Sequence, residues 1–341
     1  MPTDILLIAS WLEPGLVDRI RASAPSVRVV HEPALLRPPR YAADHTGEPV
    51  ERTPDQEARW RALLAEATIL FDFDMTHRED LPDLAPRVRW IQATSAGIGQ
   101  SVKRWGHDTR MPKTVFTTAS GVHARPLAEF VVMALLMHYR GALRILRDQQ
   151  QKHWEMYATT DLEGRTLAIV GLGRIGSGIA RTCRALGMTV IGTSVSPVLN
   201  VVDRFYAPEH LHAMLPQAEM LVLSVPHTPR TEKMIGAREL ALLPHSAFFI
   251  NVGRGAIVDE PALVESLRSG HLGGAALDVF AEEPLPPGSP LWEMPNVLVS
   301  PHSASTSERE NARIVELFCD NLRRFLSDAP LRNVLDVERM Y

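Results

Sequence analysis

The sequence predicts an α/β protein made of two doubly wound parallel-sheet domains. Short apolar runs alternate twice along the chain with amphipathic stretches, which is the rhythm of strands joined by helical crossovers. A glycine-rich turn, Gly171-Leu172-Gly173-Arg174-Ile175-Gly176, stands between an apolar run and a helical stretch at the head of the second series. A final amphipathic stretch, residues 307–326, comes after the second series is complete and is expected to pack back on the first domain. The domains are therefore read as residues 1–118 plus 307–341, and residues 119–306.

In the first series the predicted strands are Ile5 to Ile8, Val27 to Val30, Thr68 to Phe71, Val88 to Ile91 and Thr114 to Thr117. Residues 33–54 contain Pro38-Pro39 and Gly47 and show no periodicity, so they read as a long loop. Residues 55–67 read as a helix with Trp60, Leu63 and Leu64 on one face, and residues 125–147 as one long helix carrying Leu127, Val131, Leu135, Leu136 and Ile145. The second series places strands at Thr166 to Val170, Thr189 to Ile191, Met220 to Ser224, Ala247 to Ile250, Gly274 to Leu277 and Val297 to Ser300, six in all. Six such strands with crossovers complete a doubly wound sheet.

Composition narrows the function classes. The 341 residues are enough for two cores, and 45% apolar with 22% charged side chains is the profile of a globular chain. The net charge of −4 offers no cationic surface for a phosphate backbone, so nucleic acid is not an expected partner. Two distant cysteines, Cys183 and Cys319, have neither disulfide-framework nor zinc-ligand spacing, and no metal is expected. The start of the chain lacks a cationic lead, and the longest later apolar stretch, residues 130–137, is far too short to span a bilayer. The expected location is the cytoplasm.

The glycine turn has the context that gives such a motif its mechanism. A strand leads in and a helix follows, with Gly171 at the tight turn, Gly173 bare for a pyrophosphate and Gly176 for close helix-to-strand packing. It reads as a Rossmann dinucleotide site. Three further residues lie just past predicted strands, on the edge where open α/β sheets bind ligands: Arg254 in Asn251-Val252-Gly253-Arg254-Gly255, Glu283 in Leu277-Asp278-Val279-Phe280-Ala281-Glu282-Glu283-Pro284, and His302 in Ser300-Pro301-His302. Taken one at a time, each reads more readily as a surface or structural residue.

Taken together, these strings and their intervals resemble the D-isomer-specific 2-hydroxyacid dehydrogenase family across nearly the whole chain; 29 residues separate Arg254 from Glu283 and 19 separate Glu283 from His302. The resemblance implies a Rossmann domain inserted in a flavodoxin-like substrate domain, with crossings near residues 118–124 and 303–307 and the active site between the domains. It implies that Arg254, Glu283 and His302 are catalytic, and that Ser95-Ala96-Gly97 is a substrate-carboxylate loop in which Ala96 and Gly97 bind substrate beside Arg254. Cofactor contacts carried over are Gly171, Gly173, Gly176, Arg174 and Ile175 over the pyrophosphate, Pro226, Thr228, Val252 and Ser305 along the nucleotide, and Asp278 near the nicotinamide carboxamide. The substrate implied is a small 2-keto or D-2-hydroxy acid; glyoxylate, hydroxypyruvate, pyruvate and bulkier acids all fit, since the side-chain pocket is built from loops such as residues 73–79.

Those residue types suit the chemistry. Reduction puts negative charge on a carbonyl oxygen, which His302 can protonate, while a Glu283 carboxylate favours the imidazolium and fixes the ring. Arg254 can bind the substrate carboxylate with its planar fork. Trp154, Tyr157 and Trp292 are readable as pocket walls or as core. A formate dehydrogenase branch has glutamine in place of Glu283, and a long phosphoglycerate dehydrogenase would need a further domain after Tyr341. The alternative from a different class is a nucleotide-sensing, corepressor-like scaffold of the same fold. The resemblance also places the long apolar helix at a homodimer interface.

The cofactor is expected to be NADP or NAD. After the second strand of the nucleotide domain, where an acid would bind the ribose 2′-hydroxyl and repel a 2′-phosphate, stands Ser194. Hydroxyls on Thr193, Ser194 and Ser196 are the only local donors, and Arg204 is the nearest basic residue along the chain. This predicts that NADPH is accepted, with a modest preference over NADH.

Overall fold

The computed structural model describes residues 4–341 and divides the chain into two units, Met1–His123 with Thr306–Tyr341, and Ala124–Ser305. The first unit holds β1 (Ile5–Ile8), β2 (Arg28–Val30), β3 (Ile69–Phe71), β4 (Trp90–Gln92) and β5 (Val115–Thr117), all parallel, in the order β2-β1-β3-β4-β5. That is the flavodoxin-type winding, with its switch point between β1 and β3. Strands buried on both sides read as continuous apolar runs, as these do. On one side Leu7, Leu70 and Ile91 pack with Trp60, Leu63 and Leu64 of the helix Pro54–Glu66. That helix starts at a reciprocal cap, with the Thr53 hydroxyl accepting from Gln56 N–H and the Gln56 side chain accepting from Thr53 N–H.

On the other side Leu6, Ile69 and Trp90 meet the helices Pro14–Ser23 and Glu310–Leu326. The Trp90 ring stacks on Phe318 at 5.0 Å. The last helix thus completes the first unit, as its position after the finished second sheet predicts. The aperiodic segment before Pro54 contains no regular element beyond the single turn Pro33–Leu35. Its conformation is fixed by polar bonds instead: burial pushes the Asp44 carboxyl up, but bonds from Arg40 and from Gly47 N–H prevail and hold it at about 2.

The second unit holds β6 (Thr166–Val170), β7 (Thr189–Thr193), β8 (Arg204–Tyr206), β9 (Met220–Leu223), β10 (Ala247–Asn251), β11 (Leu272–Leu277) and β12 (Val297–Val299). Their order is β12-β11-β10-β9-β6-β7-β8, again all parallel, with the winding reversing between β6 and β9. Counted from β6, this is the dinucleotide-binding order with one more strand at the edge. The helix Arg174–Ala185 turns Ile179, Ala180 and Cys183 into a core shared with Leu127, Val131 and Leu135 of the helix Ala124–Tyr139. Among the described residues no helix is long and apolar enough to cross a membrane.

Four expectations are corrected. The second sheet has seven strands, not six, because the edge strand β8 is three residues long and begins with an arginine, so it carries no apolar run. The predicted single helix over residues 125–147 is two, Ala124–Tyr139 and Ala142–Gln150, broken at Gly141, whose φ of +66° is left-handed. The first crossing falls at 123/124, inside the expected span 118–124 but five residues past the boundary drawn at 118/119. Residues 119–123 belong to the first unit: Ala119 N–H donates to Ser95, Val122 lies in that unit's core, and His123 Nε2 is 3.1 Å from Glu310 Oε1. The second crossing, at 305/306, lies one residue before the expected 306/307.

Candidate active site

In the second unit every nominated residue follows the carboxyl end of a strand. Beyond β6, Gly171 to Gly176 form the turn into the helix Arg174–Ala185, which begins at Gly173. A Cβ on Gly176 would stand 1.8 Å from the Gly171 carbonyl oxygen, so the helix approaches the strand as only glycine permits, whereas a Cβ on Gly173 would meet nothing within 4 Å. The first helical bond into this turn comes from Ser177 N–H to the Gly173 carbonyl, which leaves the preceding N–H groups at the helix start for an anion. The bare Gly173 and this helix start fit a dinucleotide pyrophosphate.

Thr193, the last residue of β7, is buried; just beyond it Ser194 is half-buried and its hydroxyl donates to the Ser196 carbonyl. Arg204 pairs with Ile191, two residues before the end of β7, and donates to the Tyr206 hydroxyl and Gln217. Its side chain is committed there. Beyond β9, the turn holding Pro226 and Thr228 is closed by the Thr231 hydroxyl, which donates to Pro226 O and accepts from Thr228 N–H. Val252, beyond β10, is buried and donates its N–H to Leu223 O.

Arg254 follows β10 through an Asn251 turn: Asn251 Oδ1 accepts from Gly253 N–H at 3.0 Å and Nδ2 donates to Arg254 O at 3.1 Å. Its Nη1 donates to Gly253 O. Burial draws the Arg254 guanidinium below its ordinary value, opposed by the charges of Glu283 and Asp278. Glu283 Oε2 lies 2.7 Å from His302 Nδ1, and Glu283 Oε1 accepts from Phe280 N–H at 3.0 Å. Burial pushes the Glu283 carboxyl up, but the bonds from His302 and Phe280 and the charges of His302 and Arg254 prevail and hold it below the usual carboxylate range. With Nδ1 engaged by Glu283, His302 presents Nε2 to any reactant.

His302 sits at a left-handed φ of +53°, rare for a residue with a Cβ. Asp278 holds the turn that imposes it. Its Oδ1 accepts from the Ser300 hydroxyl at 2.6 Å and from the N–H groups of Ser303 and Ala304, both at 2.9 Å. Burial pushes the Asp278 carboxyl up, and these donors together with His302 only partly offset it. Ser305 ends the same turn. Glu283 and His302 are therefore bonded to each other, Asp278 holds the turn that carries His302, and the charges of Glu283 and Asp278 act on Arg254. Asn251 and Ser300, which position them, carry no pattern of their own; an asparagine just past a strand was the available signal.

Ala96 and Gly97 lie in the first unit, on the turn after β4. There the Thr94 hydroxyl donates to buried Asp72 and Ser95 O accepts from Ala119 N–H. The three aromatic residues are not core: Trp154 is 93% exposed, Trp292 is 51% exposed with its indole N–H on Pro286 O, and Tyr157 lies under the Arg144 guanidinium.

The sequence model described as D-isomer specific 2-hydroxyacid dehydrogenase, NAD binding domain, matches residues 132–304. A glyoxylate reductase from Aeropyrum pernix is 34% identical over 269 residues, 76% of this chain and 79% of that protein. Among solved structures, a D-isomer specific 2-hydroxyacid dehydrogenase from Xanthobacter autotrophicus in complex with NADPH and MES is 31% identical with a TM-score of 0.79, covering 99% of each chain. An NADPH-dependent glyoxylate/hydroxypyruvate reductase from Sinorhizobium meliloti, in complex with NADP and sulfate, is 26% identical with a TM-score of 0.79, covering 99% of this chain and 100% of that one.

Proposed function

The chain belongs to the D-isomer specific 2-hydroxyacid dehydrogenase family and is an NAD(P)-dependent oxidoreductase, and we propose that it reduces a small 2-keto acid of the glyoxylate or hydroxypyruvate class to the D-2-hydroxy acid. The observation that carries this reading is the 2.7 Å pair of His302 Nδ1 and Glu283 Oε2 on the same sheet edge as Arg254. A dinucleotide held with its pyrophosphate at the Gly171 turn would supply the hydride for the keto carbon. His302 Nε2 gives its proton to the carbonyl oxygen as charge develops there, and Glu283 stabilises the imidazolium before that transfer. Arg254 binds the substrate carboxylate and draws density from the carbonyl; its partial burial strengthens both effects. Ala96 and Gly97 are proposed as further backbone donors to that carboxylate, and Asp278 as the carboxamide contact. A panel of 2-keto acids with each reduced cofactor tests the reading: micromolar nucleotide binding with negligible turnover on every acid would make the chain a nucleotide-sensing scaffold instead.

Cofactor choice follows from Ser194. No carboxylate repels a 2′-phosphate, and no local guanidinium attracts one, so NADPH is expected to be favoured only about fivefold, the worth of roughly 1 kcal/mol from a hydroxyl. Ser194→Asp should turn the ratio of kcat/KM values strongly towards NADH. A wild-type preference for NADH of about a hundredfold or more would mean that Ser194 does not face the ribose.

A homodimer is proposed from the apolar surface of the second unit. Leu143, Ile145 and Leu146 on the helix Ala142–Gln150 are each about half exposed, and Trp154 and Met156 just beyond it are almost wholly so. A cluster of this kind marks a surface that is covered in solution. Light scattering is expected to give twice the mass of one chain, and a monomer at micromolar concentration would reject the assignment.

A further inference from the structure

Glu283 can hold His302 only while its own turn is held. Its Oε1 is oriented by Phe280 N–H, which lies one Cα away from the peptide joining Phe280 to Ala281, so a shift of that next peptide turns Phe280 and carries the carboxylate's donor with it. Two groups from the segment that follows Arg254 grip that peptide. Gly255 touches it backbone to backbone: a Cβ there would lie 1.9 Å from both the carbonyl carbon and oxygen of Phe280 and 2.5 Å from Ala281 N. Glu260, the first residue of the helix Glu260–Arg268, reaches across with Oε2 to accept from Ala281 N–H at 2.9 Å. The helix start does not depend on that side chain, because Asp259 caps it by accepting from Ala262 N–H. The Glu260 carboxylate is thus turned away from its own helix, towards a turn 21 residues later.

We propose that Glu260 is a positioning residue for the reaction: by clamping Ala281 N–H against the Gly255 contact, it fixes the Glu283–His302 pair relative to Arg254. The proposal rests on the reading of that pair as the proton donor and its orienting carboxylate. Arg254, Gly255 and Glu260 lie within seven residues of one another. The segment that places the guanidinium therefore also places the carboxylate, and a shift in one is transmitted to the other. Glu260 itself touches none of the three side chains in the contacts described, so its effect runs through the backbone of the turn.

The test compares Glu260→Ala, Glu260→Gln and His302→Ala in the full chain, reading kcat, cofactor KM and the pH dependence of reduction. Glu260→Ala is expected to lower kcat about five- to twentyfold while leaving the cofactor KM within about twofold, because the misplacement acts on the chemical step. It should also move the alkaline limb to lower pH, since a displaced carboxylate no longer supports the imidazolium. Glu260→Gln retains an acceptor oxygen and should restore most of kcat and the original limb. Gly255→Ala, which forces the same peptide to move from the other side, should shift the limb in the same direction. A Glu260→Ala protein with wild-type kcat and an unmoved limb, alongside an inactive His302→Ala, overturns the clamp alone. Equal losses in the Ala and Gln variants with no change in pH profile also overturn it, since they mark a structural role. Full activity in His302→Ala overturns the pair itself, and the clamp with it.

Discussion

His302→Ala is expected to lower kcat/KM for keto-acid reduction by at least about a hundredfold, the usual contribution of a positioned general acid. The loss should fall on kcat, because the proton is delivered only as the transition state forms. The variant should still bind nucleotide with unchanged affinity, which fluorescence titration can check. Glu283→Gln should cost less, since His302 remains, yet it should move the alkaline limb to lower pH because a neutral amide no longer stabilises the imidazolium. On the acid side the pair is lost only when Glu283 itself takes a proton. Bonds from His302 and Phe280 hold the Glu283 carboxyl below its ordinary range, so the pair stays charged as pH falls and breaks only below that range. Wild-type activity in His302→Ala would remove the proton donor assigned here, and an unmoved limb in Glu283→Gln would dissolve the pairing.

The residues proposed for the chemistry are legible in the sequence because of where they stand. Arg254, Glu283 and His302 follow apolar runs that become three adjacent strands, β10, β11 and the edge strand β12, and open parallel sheets bring such positions to one edge whatever the loops do. The glycine turn was readable for a related reason, since each glycine has a steric task at a strand-to-helix junction. What could not be read is what depends on contacts between distant backbones. Nothing in Asp259-Glu260-Pro261 announces that Glu260 bonds to Ala281, and Asp278 resembles any acid until Ser300, Ser303 and Ala304 close on it.

The errors in the fold have equally local causes. The apolar spacing of residues 125–147 runs on through Leu143 and Ile145, so periodicity alone extends one helix across Gly141, although those side chains are exposed rather than buried. Edge strand β8 is paired on one side only, and so its sequence, Arg204-Phe205-Tyr206, need not be apolar. The apolar run before the first crossing ends at Thr117, and nothing periodic marks where between 118 and 124 the chain leaves the first unit. Residues 119–123 stay with the first unit through one backbone bond, one core side chain and the His123–Glu310 contact, none of which is periodic.

Arg254→Ala should match or exceed the loss in His302→Ala, because one guanidinium is proposed to serve both binding and catalysis. A bidentate charge-assisted pair with the substrate carboxylate is worth several kcal/mol where water is partly excluded, and the same fork stabilises charge on the carbonyl oxygen. KM for the keto acid should therefore rise while kcat falls, a split that distinguishes this variant from His302→Ala. Arg254→Lys returns the charge without the planar fork and should recover only a small part of the loss. A second effect follows from position. The positive charge of Arg254 is among the influences that lower the Glu283 carboxyl, so removing it lets that carboxyl rise. The acid limb of the residual activity should then move to higher pH in Arg254→Ala and stay near wild type in Arg254→Lys. Rate profiles across the acid range measure this directly. An acid limb that is the same in all three proteins would show that Arg254 and Glu283 do not act on one another in the working enzyme, and full kcat/KM in Arg254→Ala would remove the arginine from the reaction.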